Sequence, residues 1–172
     1  LPSDDDSPYH IVEDITKILS EPEAFPDLPT CWDIVILHPP CTALCVSGNR
    51  HYGRGKPKHH LRKKAQDFTM KLWNIAVEAC DHVAMENPVG VIPMKATQYI
   101  QPWQFGHGET KKTGLWLYGL PNLIPTDIVP GREQRVWKMS PSPERWKIRS
   151  KTYTGIAQAM AEQWAHATSA AD

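Results

Sequence analysis

The amino-acid sequence predicts an α/β domain with a mostly parallel sheet. Two short apolar runs, at 34–37 and 83–85, are typical of strands that are buried on both faces of a sheet. Residues 61–80 lie between them and carry apolar side chains at helical spacing. This order favours a parallel pair of strands, with residues 34–37 at the centre of the sheet. The chain has 172 residues, of which 41% are hydrophobic, and this is enough for one domain with a buried core.

The remaining elements are predicted from the same patterns. Residues 9–19 suggest the end of a strand followed by a short helix, and residues 21–30 form a proline-rich connector. Residues 93–100 suit one or two turns of helix, whereas residues 113–117 alternate like a further strand. Residues 155–167 predict a closing helix. Its inward side chains should be Ile156, Ala159, Met160 and Trp164.

Charge is segregated along the chain, although the net charge is zero. Residues 1–33 hold nine carboxylates against the single Lys17, whereas residues 49–64 hold seven Lys or Arg and no acid. A second basic stretch covers residues 132–151. Either run alone could be an ordinary solvated face, but two of them favour a polyanionic partner such as DNA. Glycines within 46–60 predict a mobile loop there.

Membrane and secreted classes are disfavoured. No apolar run approaches the roughly 20 residues that span a bilayer, and the first ten residues lack the features of a signal peptide. Four irregularly spaced cysteines in a domain of this size suggest reduced thiols. We therefore expect a cytoplasmic protein.

Cys41 is a candidate nucleophile. It follows the strand at 34–37 through His38, Pro39 and Pro40, and the two prolines force the chain out of the sheet. Ligands of open α/β sheets bind at the carboxyl ends of the strands, where this thiol would be presented. The alternative is a small buried hydrophobic residue.

Glu86 occupies the equivalent place after the second predicted strand, in the segment Glu86-Asn87-Pro88. A carboxylic acid beside a thiol can protonate the group that the thiol attacks, which is a layout for covalent catalysis. The alternative for Glu86 is a polar group that merely ends the strand.

These residues resemble the DNA cytosine 5-methyltransferases, in which a Pro-Cys turn is followed by a Ser and Gly loop. Here Pro40-Cys41 is followed by Ser47-Gly48, and the family's Glu-Asn-Val is matched by Glu86-Asn87, with Pro88 in place of valine. The chain is more closely similar to short phage and prophage members of this group. The phrases that carry this similarity are HPPCTALCVSG, MENPVG, IQPWQFGHGETKKTGLWLYGLP and KTYTGIAQAMAEQWA.

The resemblance implies a Rossmann-like fold of the S-adenosylmethionine-dependent methyltransferase type, with residues 1–172 as a single catalytic domain. The family's first strand and glycine-rich cofactor turn are not found in the sequence, so we expect such a segment to precede Leu1. Thr42 stands where glutamine is usual in the family, so the resemblance does not extend to the contact that this glutamine makes with the loop inserted into DNA. The chain has no room for a target-recognition domain, so little DNA sequence should be read.

The resemblance also implies roles for individual residues. Cys41 would add to carbon 6 of a flipped cytosine while Glu86 holds ring nitrogen 3. The residues implied for the base pocket are Pro40, Asn87 and Pro88. S-adenosylmethionine would be bound by Asp14, Asp33 and Pro39. DNA phosphates would be contacted by Arg50, Arg54, Lys56, Lys58, Lys111, Lys112, Arg149 and Lys151.

Three alternatives remain open at this point. His38, Cys41, Cys45 and the histidines of the first basic run could hold zinc in a binding module, although their spacing fits no standard site. The same chemistry could act on a free cytosine nucleotide. The chain could also be an inactive relative that only binds DNA or a partner.

Overall fold

A four-stranded mixed sheet organises the part of the chain that the computed structural model describes, which is Ser7 and residues 9–169. The strands are β1 (Val35–Leu37), β2 (Val83–Pro88), β3 (Gln98–Ile100) and β4 (Thr113–Tyr118). Their order is β1-β2-β4-β3. The α/β class is confirmed, but the sheet is not mostly parallel: β1 and β2 run parallel, whereas β4 is antiparallel to both β2 and β3. Among these strands β1 lies at an edge, not at the predicted centre.

Helices cover both faces of the sheet. Those in the described residues are α1 (Ile15–Ser20), α2 (Asn49–Tyr52), α3 (His59–Ala79), α4 (Arg135–Lys138), α5 (Arg145–Ser150) and α6 (Thr154–Ser169). Short 3-10 turns lie at Pro22–Ala24, Val46–Gly48 and Pro102–Gln104. The predicted helices at the start, the middle and the end of the chain are confirmed by α1, α3 and α6. No strand precedes α1 within residues 9–14, although the sequence pattern suggests one.

Strand alternation divides the core into two layers. On one face, Val35, Leu37, Val83 and Met85 pack with side chains of α1 and α3, including Leu72. On the other face, the sheet packs against α6. The four inward residues predicted for α6 are all buried there, namely Ile156, Ala159, Met160 and Trp164. Burial of these apolar side chains is the main stabilising contribution to such a three-layer arrangement.

The helix predicted within residues 93–100 is wrong, because Gln98–Ile100 form β3. Pairing with β4 decides the conformation: Gln98 lies opposite Leu115, and Ile100 lies opposite Thr113. The side chain of Gln98 also exchanges two hydrogen bonds with the main chain of Leu123, at 2.8 and 2.9 Å. Tertiary pairing therefore overrides a weak local pattern.

The predicted mobile loop at 46–60 contains regular structure, which counts against that prediction. Residues Val46–Gly48 form a 3-10 turn and lead directly into α2. Gly48 is buried, and a side chain there would collide with the carbonyl of Thr42. Only beyond α2 does the segment open into exposed turns, where Gly55 has a positive φ of 77°.

Candidate active site

Glu86 lies on the α6 face of β2, near the carboxyl end of the strand. Its side chain is 8% exposed. The carboxylate atom Oε2 accepts a hydrogen bond from the Thr152 hydroxyl at 2.9 Å and lies 3.6 Å from Nδ1 of His38. His38 follows β1, and the parallel register brings it beside Glu86 because Ile36 pairs with Ala84. The carboxylate is therefore buried beside polar groups that come from two other segments of the chain.

Cys41 lies in a tight turn immediately after β1. Its carbonyl accepts hydrogen bonds from the amides of Leu44 and Cys45, each at 2.9 Å. The thiol is half-buried, and burial followed by the nearby Cys45 raises the pKa of Cys41. Lys111 and Arg149 act in the opposite direction. The thiol is therefore protonated at neutral pH, and it needs a substrate or a base to become a nucleophile.

Asn87 joins the ends of β1 and β2. Its amide nitrogen Nδ2 donates to the carbonyl of Pro39 at 3.0 Å, and the residue is 1% exposed. Its Oδ1 atom has no hydrogen-bond partner among the described residues. Pro88, the last residue of β2, pairs with Thr113. Asn87 thus fixes the turn that leads to Cys41. This structural role is separate from the base-pocket role that the resemblance implies.

Lys111 is part of the same site. It lies two residues before Thr113, on the side of β4 that faces α6. Its ammonium group donates to the carbonyl of Lys151 at 3.2 Å and lies 5.7 Å from the centre of the Tyr153 ring. Burial lowers the pKa of Lys111, while the Glu86 carboxylate and the Cys41 thiol act to raise it. This half-buried cation therefore lies within electrostatic range of both candidate catalytic groups.

Arg62 is a site residue that the sequence does not single out. It belongs to α3 and is 6% exposed, although its neighbours in the basic run are exposed. Its guanidinium donates to the Ala43 carbonyl at 2.7 Å, to Oδ1 of Asn49 at 2.8 Å and to the Cys45 carbonyl at 3.4 Å. Arg62 therefore holds the Cys41 turn and the start of α2 against α3. A signal is present in the sequence, because the position of Arg62 falls on the apolar side of the helix.

The Cys41 turn also contacts the loop after β2. The amide of Val46 donates to the carbonyl of Val89 at 3.0 Å, and that of Val91 donates to the carbonyl of Leu44 at 2.9 Å. Gly90 sits inside this bridge, where a Cβ atom would overlap the Leu44 carbonyl. The two loops at this edge of the sheet are therefore joined through their main chains.

The residues implied for cofactor binding lie in three different places. Asp14 caps α1, and its carboxylate accepts from the amide and hydroxyl of Thr16 at 2.9 and 2.8 Å. These bonds lower the pKa of Asp14. Asp33 is exposed and precedes β1, at the end of the strand remote from Cys41. Pro39 is buried beside Cys41. The structure therefore brings only Pro39 to the candidate site.

An apolar cavity of about 450 Å³ lies between the free edge of β1 and α6. Ile34, Ile36 and Met160 form much of its wall. His38 and Thr152, the two neighbours of Glu86, also line it. This cavity therefore adjoins the buried carboxylate.

The residues implied for phosphate contact fall into two groups. Those that precede α3 are exposed: Arg50, Arg54, Lys56 and Lys58. In the second group, Arg149 is half-buried within electrostatic range of Cys41, and Lys151 is exposed. Lys112 is exposed, with its ammonium group 4.5 Å from the centre of the Tyr99 ring. Contact of either group with DNA stays a prediction.

The residues considered for zinc binding are not gathered into a metal site. In the described part of the chain, no group of three or more His, Cys, Asp or Glu residues is placed to hold a metal ion. Cys45 instead lies 3.0 Å from the Ser47 hydroxyl, and the Nδ1 atoms of His59 and His60 bond to main-chain carbonyls.

Across residues 9–169, no helix is both long and apolar enough to cross a membrane.

Comparison of the chain with family models, curated proteins and solved structures finds no match. The resemblance to cytosine methyltransferases therefore stays a prediction from the sequence phrases, and support for a function has to come from the geometry of the site.

Proposed function

We propose that the protein is a DNA cytosine 5-methyltransferase, with Cys41 as the nucleophile and Glu86 as the residue that binds and protonates the cytosine ring. The observation that carries this proposal is that the parallel pairing of β1 and β2 brings the segments of both residues to one edge of the sheet. His38, three residues before Cys41, lies 3.6 Å from the Glu86 carboxylate, and Asn87, next to Glu86, donates to the carbonyl of Pro39 at 3.0 Å. If these strand ends had only a structural role, neutral hydrogen-bonding residues would be sufficient there. A thiol, an acid and a half-buried cation are instead suited to covalent catalysis.

The reaction is built from these groups. The base must leave the stack to reach a pocket at the sheet edge. The Cys41 thiol passes its proton to a water molecule, and its sulfur forms a bond to carbon 6. The ring electrons move to nitrogen 3, which receives a proton from Glu86, so carbon 5 becomes nucleophilic. S-adenosylmethionine, when bound, would supply a methyl group to carbon 5. Water then takes the proton from carbon 5, the sulfur–carbon bond breaks to return the thiolate, and nitrogen 3 gives its proton back to Glu86.

The surrounding residues favour this sequence of steps. The positive charges of Lys111 and Arg149 stabilise the thiolate, because they oppose the effect of burial on the pKa of Cys41. The hydroxyl of Thr152 orients the Glu86 carboxylate through the bond to Oε2. The bond from Asn87 to Pro39 keeps the Cys41 turn at a fixed place relative to the end of β2. Glu86, the proposed catalytic residue, and Asn87, which supports the Cys41 turn, are thus adjacent residues on opposite faces of β2.

The apolar cavity beside Glu86 would accommodate the flat adenine ring of S-adenosylmethionine. Its volume is within the usual range for small-molecule sites. Ile34, Ile36 and Met160 would hold the apolar part, and His38 and Thr152 would offer polar atoms beside it. The cofactor, when bound, supplies an electrophilic methyl group.

The proposal can be tested without that cofactor. Addition of a thiolate at carbon 6 makes carbon 5 accept a proton from water, so a cytosine labelled with tritium at carbon 5 loses its label. We expect the unmodified protein and Cys45→Ser to release tritium from labelled duplex DNA, whereas Cys41→Ser releases none. Cys41→Ser should still bind the duplex, because binding depends on phosphate contacts elsewhere.

A second measurement identifies the attacking atom. With methyl donor present, DNA containing 5-fluorocytosine should form an adduct that survives denaturation, since fluorine prevents the final proton loss. Peptide mapping should locate that adduct at Cys41. Tritium release by Cys41→Ser, or an adduct on Cys45, would show that the nucleophile has been assigned wrongly.

A further inference from the structure

Glu109 is a buried carboxylate that the proposed reaction does not use. The residue is 7% exposed, and its Oε2 atom accepts a hydrogen bond from the Tyr153 hydroxyl at 2.7 Å. Its Oε1 atom accepts from the guanidinium of Arg135. Arg135 is largely exposed, so water weakens this ion pair, and the removal of the carboxylate from water brings little net stability. A role in placing neighbouring groups would explain Glu109 better than a contribution to stability.

Tyr153 belongs to the irregular segment 151–153, which joins α5 to α6. This segment lies outside any helix or strand, so its position depends on the bonds that its own residues make. Burial and the bond to Glu109 raise the pKa of Tyr153 to about 12. The hydroxyl therefore keeps its proton at neutral pH, and it fastens the segment to the loop that precedes β4.

The loop that carries Glu109 is itself held in place by main-chain bonds. The amide of Thr110 donates to the carbonyl of Glu133 at 2.8 Å, and the amide of Glu133 donates to the carbonyl of Gly108 at 3.0 Å. These two bonds lie on either side of Glu109 in the chain. Glu109 therefore offers Tyr153 a fixed point of attachment.

Two groups of the candidate active site lie next to Tyr153. Thr152 precedes it in the chain and, among the described residues, is the one hydrogen-bond donor to the Glu86 carboxylate, at 2.9 Å. Lys111 has its ammonium group 5.7 Å from the centre of the Tyr153 ring, and this group donates to the carbonyl of Lys151 at 3.2 Å. A displacement of Tyr153 would therefore move the hydroxyl that orients Glu86.

We infer that Glu109 is a positioning residue, which places the Thr152 hydroxyl on Glu86 by holding Tyr153. The inference rests on the proposed function, because it concerns the residue that protonates the cytosine ring. Glu109 makes no contact with the substrate and exchanges no proton in the reaction. Its effect is therefore on the rate of the chemical step and not on the affinity for DNA.

The first experiment measures tritium release from duplex DNA labelled at carbon 5 of cytosine. Tyr153→Phe removes only the hydroxyl that Glu109 holds, and we expect kcat to fall about ten- to hundredfold while KM stays within about a factor of two. Tyr118→Phe is the matched control and should change neither value, because Tyr118 is an exposed tyrosine at the opposite end of β4 from Lys111. Melting temperatures check that each variant is folded.

Two comparisons test whether the effect passes through Thr152. Thr152→Val removes the donor to Glu86, so Tyr153→Phe should cause no further loss of kcat when it is added to this variant. Glu109→Gln keeps an oxygen that can accept from the Tyr153 hydroxyl, so it should retain more activity than Glu109→Ala.

A second experiment needs no substrate. Carbon-13 NMR of protein labelled at the glutamate carboxyl groups reports the hydrogen bonding of Glu86, whose signal is assigned from its loss in Glu86→Gln. We expect this signal to shift in Tyr153→Phe in the same direction as in Thr152→Val, and to stay unchanged in Tyr118→Phe. The measurement holds even if the unmodified protein releases no tritium, a result that would contradict the proposed function alone.

The inference is overturned by a Glu86 signal that does not move in Tyr153→Phe, whatever the activity. In a protein that releases tritium, an unchanged kcat in Tyr153→Phe would also overturn it. So would a rise in KM alone, because Tyr153 would then act in DNA binding. Losses of kcat that multiply in the double variant with Thr152→Val would show that Tyr153 does not act through Thr152.

Discussion

Replacement of Arg62 by methionine should destabilise the protein and loosen the turn that carries Cys41. Methionine keeps much of the apolar volume of the side chain but donates no hydrogen bonds. The two short bonds, at 2.7 Å to the Ala43 carbonyl and 2.8 Å to Asn49, would be lost. Bonds from charged donors contribute about 1.5–3 kcal/mol each, and removal of a buried charge offsets part of this loss. We therefore expect the free energy of unfolding to fall by about 2–4 kcal/mol.

Thermal denaturation measures this change. For a chain of this size, 1 kcal/mol corresponds to a shift of about 2–4 °C, so the melting temperature should fall by roughly 10 °C. Lys63→Met is the control. Lys63 neighbours Arg62 on α3, but its ion pair with Asp67 is exposed and should contribute less than about 0.5 kcal/mol. Alkylation of Cys41 should accelerate only in Arg62→Met. Equal melting temperatures for the two variants would refute the assigned role of Arg62.

Three further predictions concern the same edge of the sheet. Lys111→Met should raise the pKa of Cys41 further, so alkylation of that thiol, mapped by mass spectrometry, should begin at a higher pH. Asn87→Ala removes the donor to Pro39 and should lower the free energy of unfolding by about 1–3 kcal/mol in urea titrations. Burial and Glu109 raise the pKa of Tyr153 from 10 to about 12, so the folded protein disfavours its ionisation and loses stability as pH rises through that interval. The loss should be smaller in Tyr153→Phe, as followed by melting temperature against pH.

Each of these predictions has a contrary result. Lys112→Met, which removes a cation exposed on the other face of β4, should leave the alkylation profile of Cys41 unchanged. An identical shift in both lysine variants would mean that Lys111 has no particular relation to the thiol. An unchanged urea midpoint for Asn87→Ala would mean that its bond to Pro39 does not hold the turn. Equal pH profiles for Tyr153→Phe and the unmodified protein would mean that this phenol does not contribute to the alkaline loss of stability.

The sequence could predict the elements that carry strong local patterns. The long helix α3 and the inward face of α6 are predicted by periodicity, and the strand before Cys41 is predicted by its continuous apolar run. The expected burial of that strand on both faces is wrong, because β1 lies at an edge of the described sheet and Ile36 is 40% exposed. The direction of β4 could not be predicted in this way. Alternation shows that residues 113–117 form a strand, but it does not show whether that strand runs parallel or antiparallel to its neighbour. That choice depends on the path of the chain through residues 89–112.

Prediction of the site was limited for a related reason. Cys41 and Glu86 could be placed from the sequence, because each lies within a few residues of the end of a predicted strand. Lys111 enters the site only because β4 is antiparallel to β2, so that the start of β4 meets the end of β2. Alternation does distinguish Lys111 from Lys112 once that direction is known. A count of charged residues places Arg62 among the surface charges, because such a count does not show which side of α3 faces the protein. Only the position of Arg62 along the helix shows that.

The bridge between the two loops, centred on Gly90, has a mechanical consequence. Hydrogen bonds from the amides of Val46 and Val91 fasten the turn after β1 to the loop after β2 through main-chain atoms alone. A displacement of either loop is therefore transmitted to the other without a change of side-chain contacts. The spacing between the main chains of the two loops is therefore held in part by the backbone itself. Substitutions of side chains that do not hold the Cys41 turn, unlike those of Arg62 and Asn87, can thus alter which ligand is accepted while the two loops keep their separation.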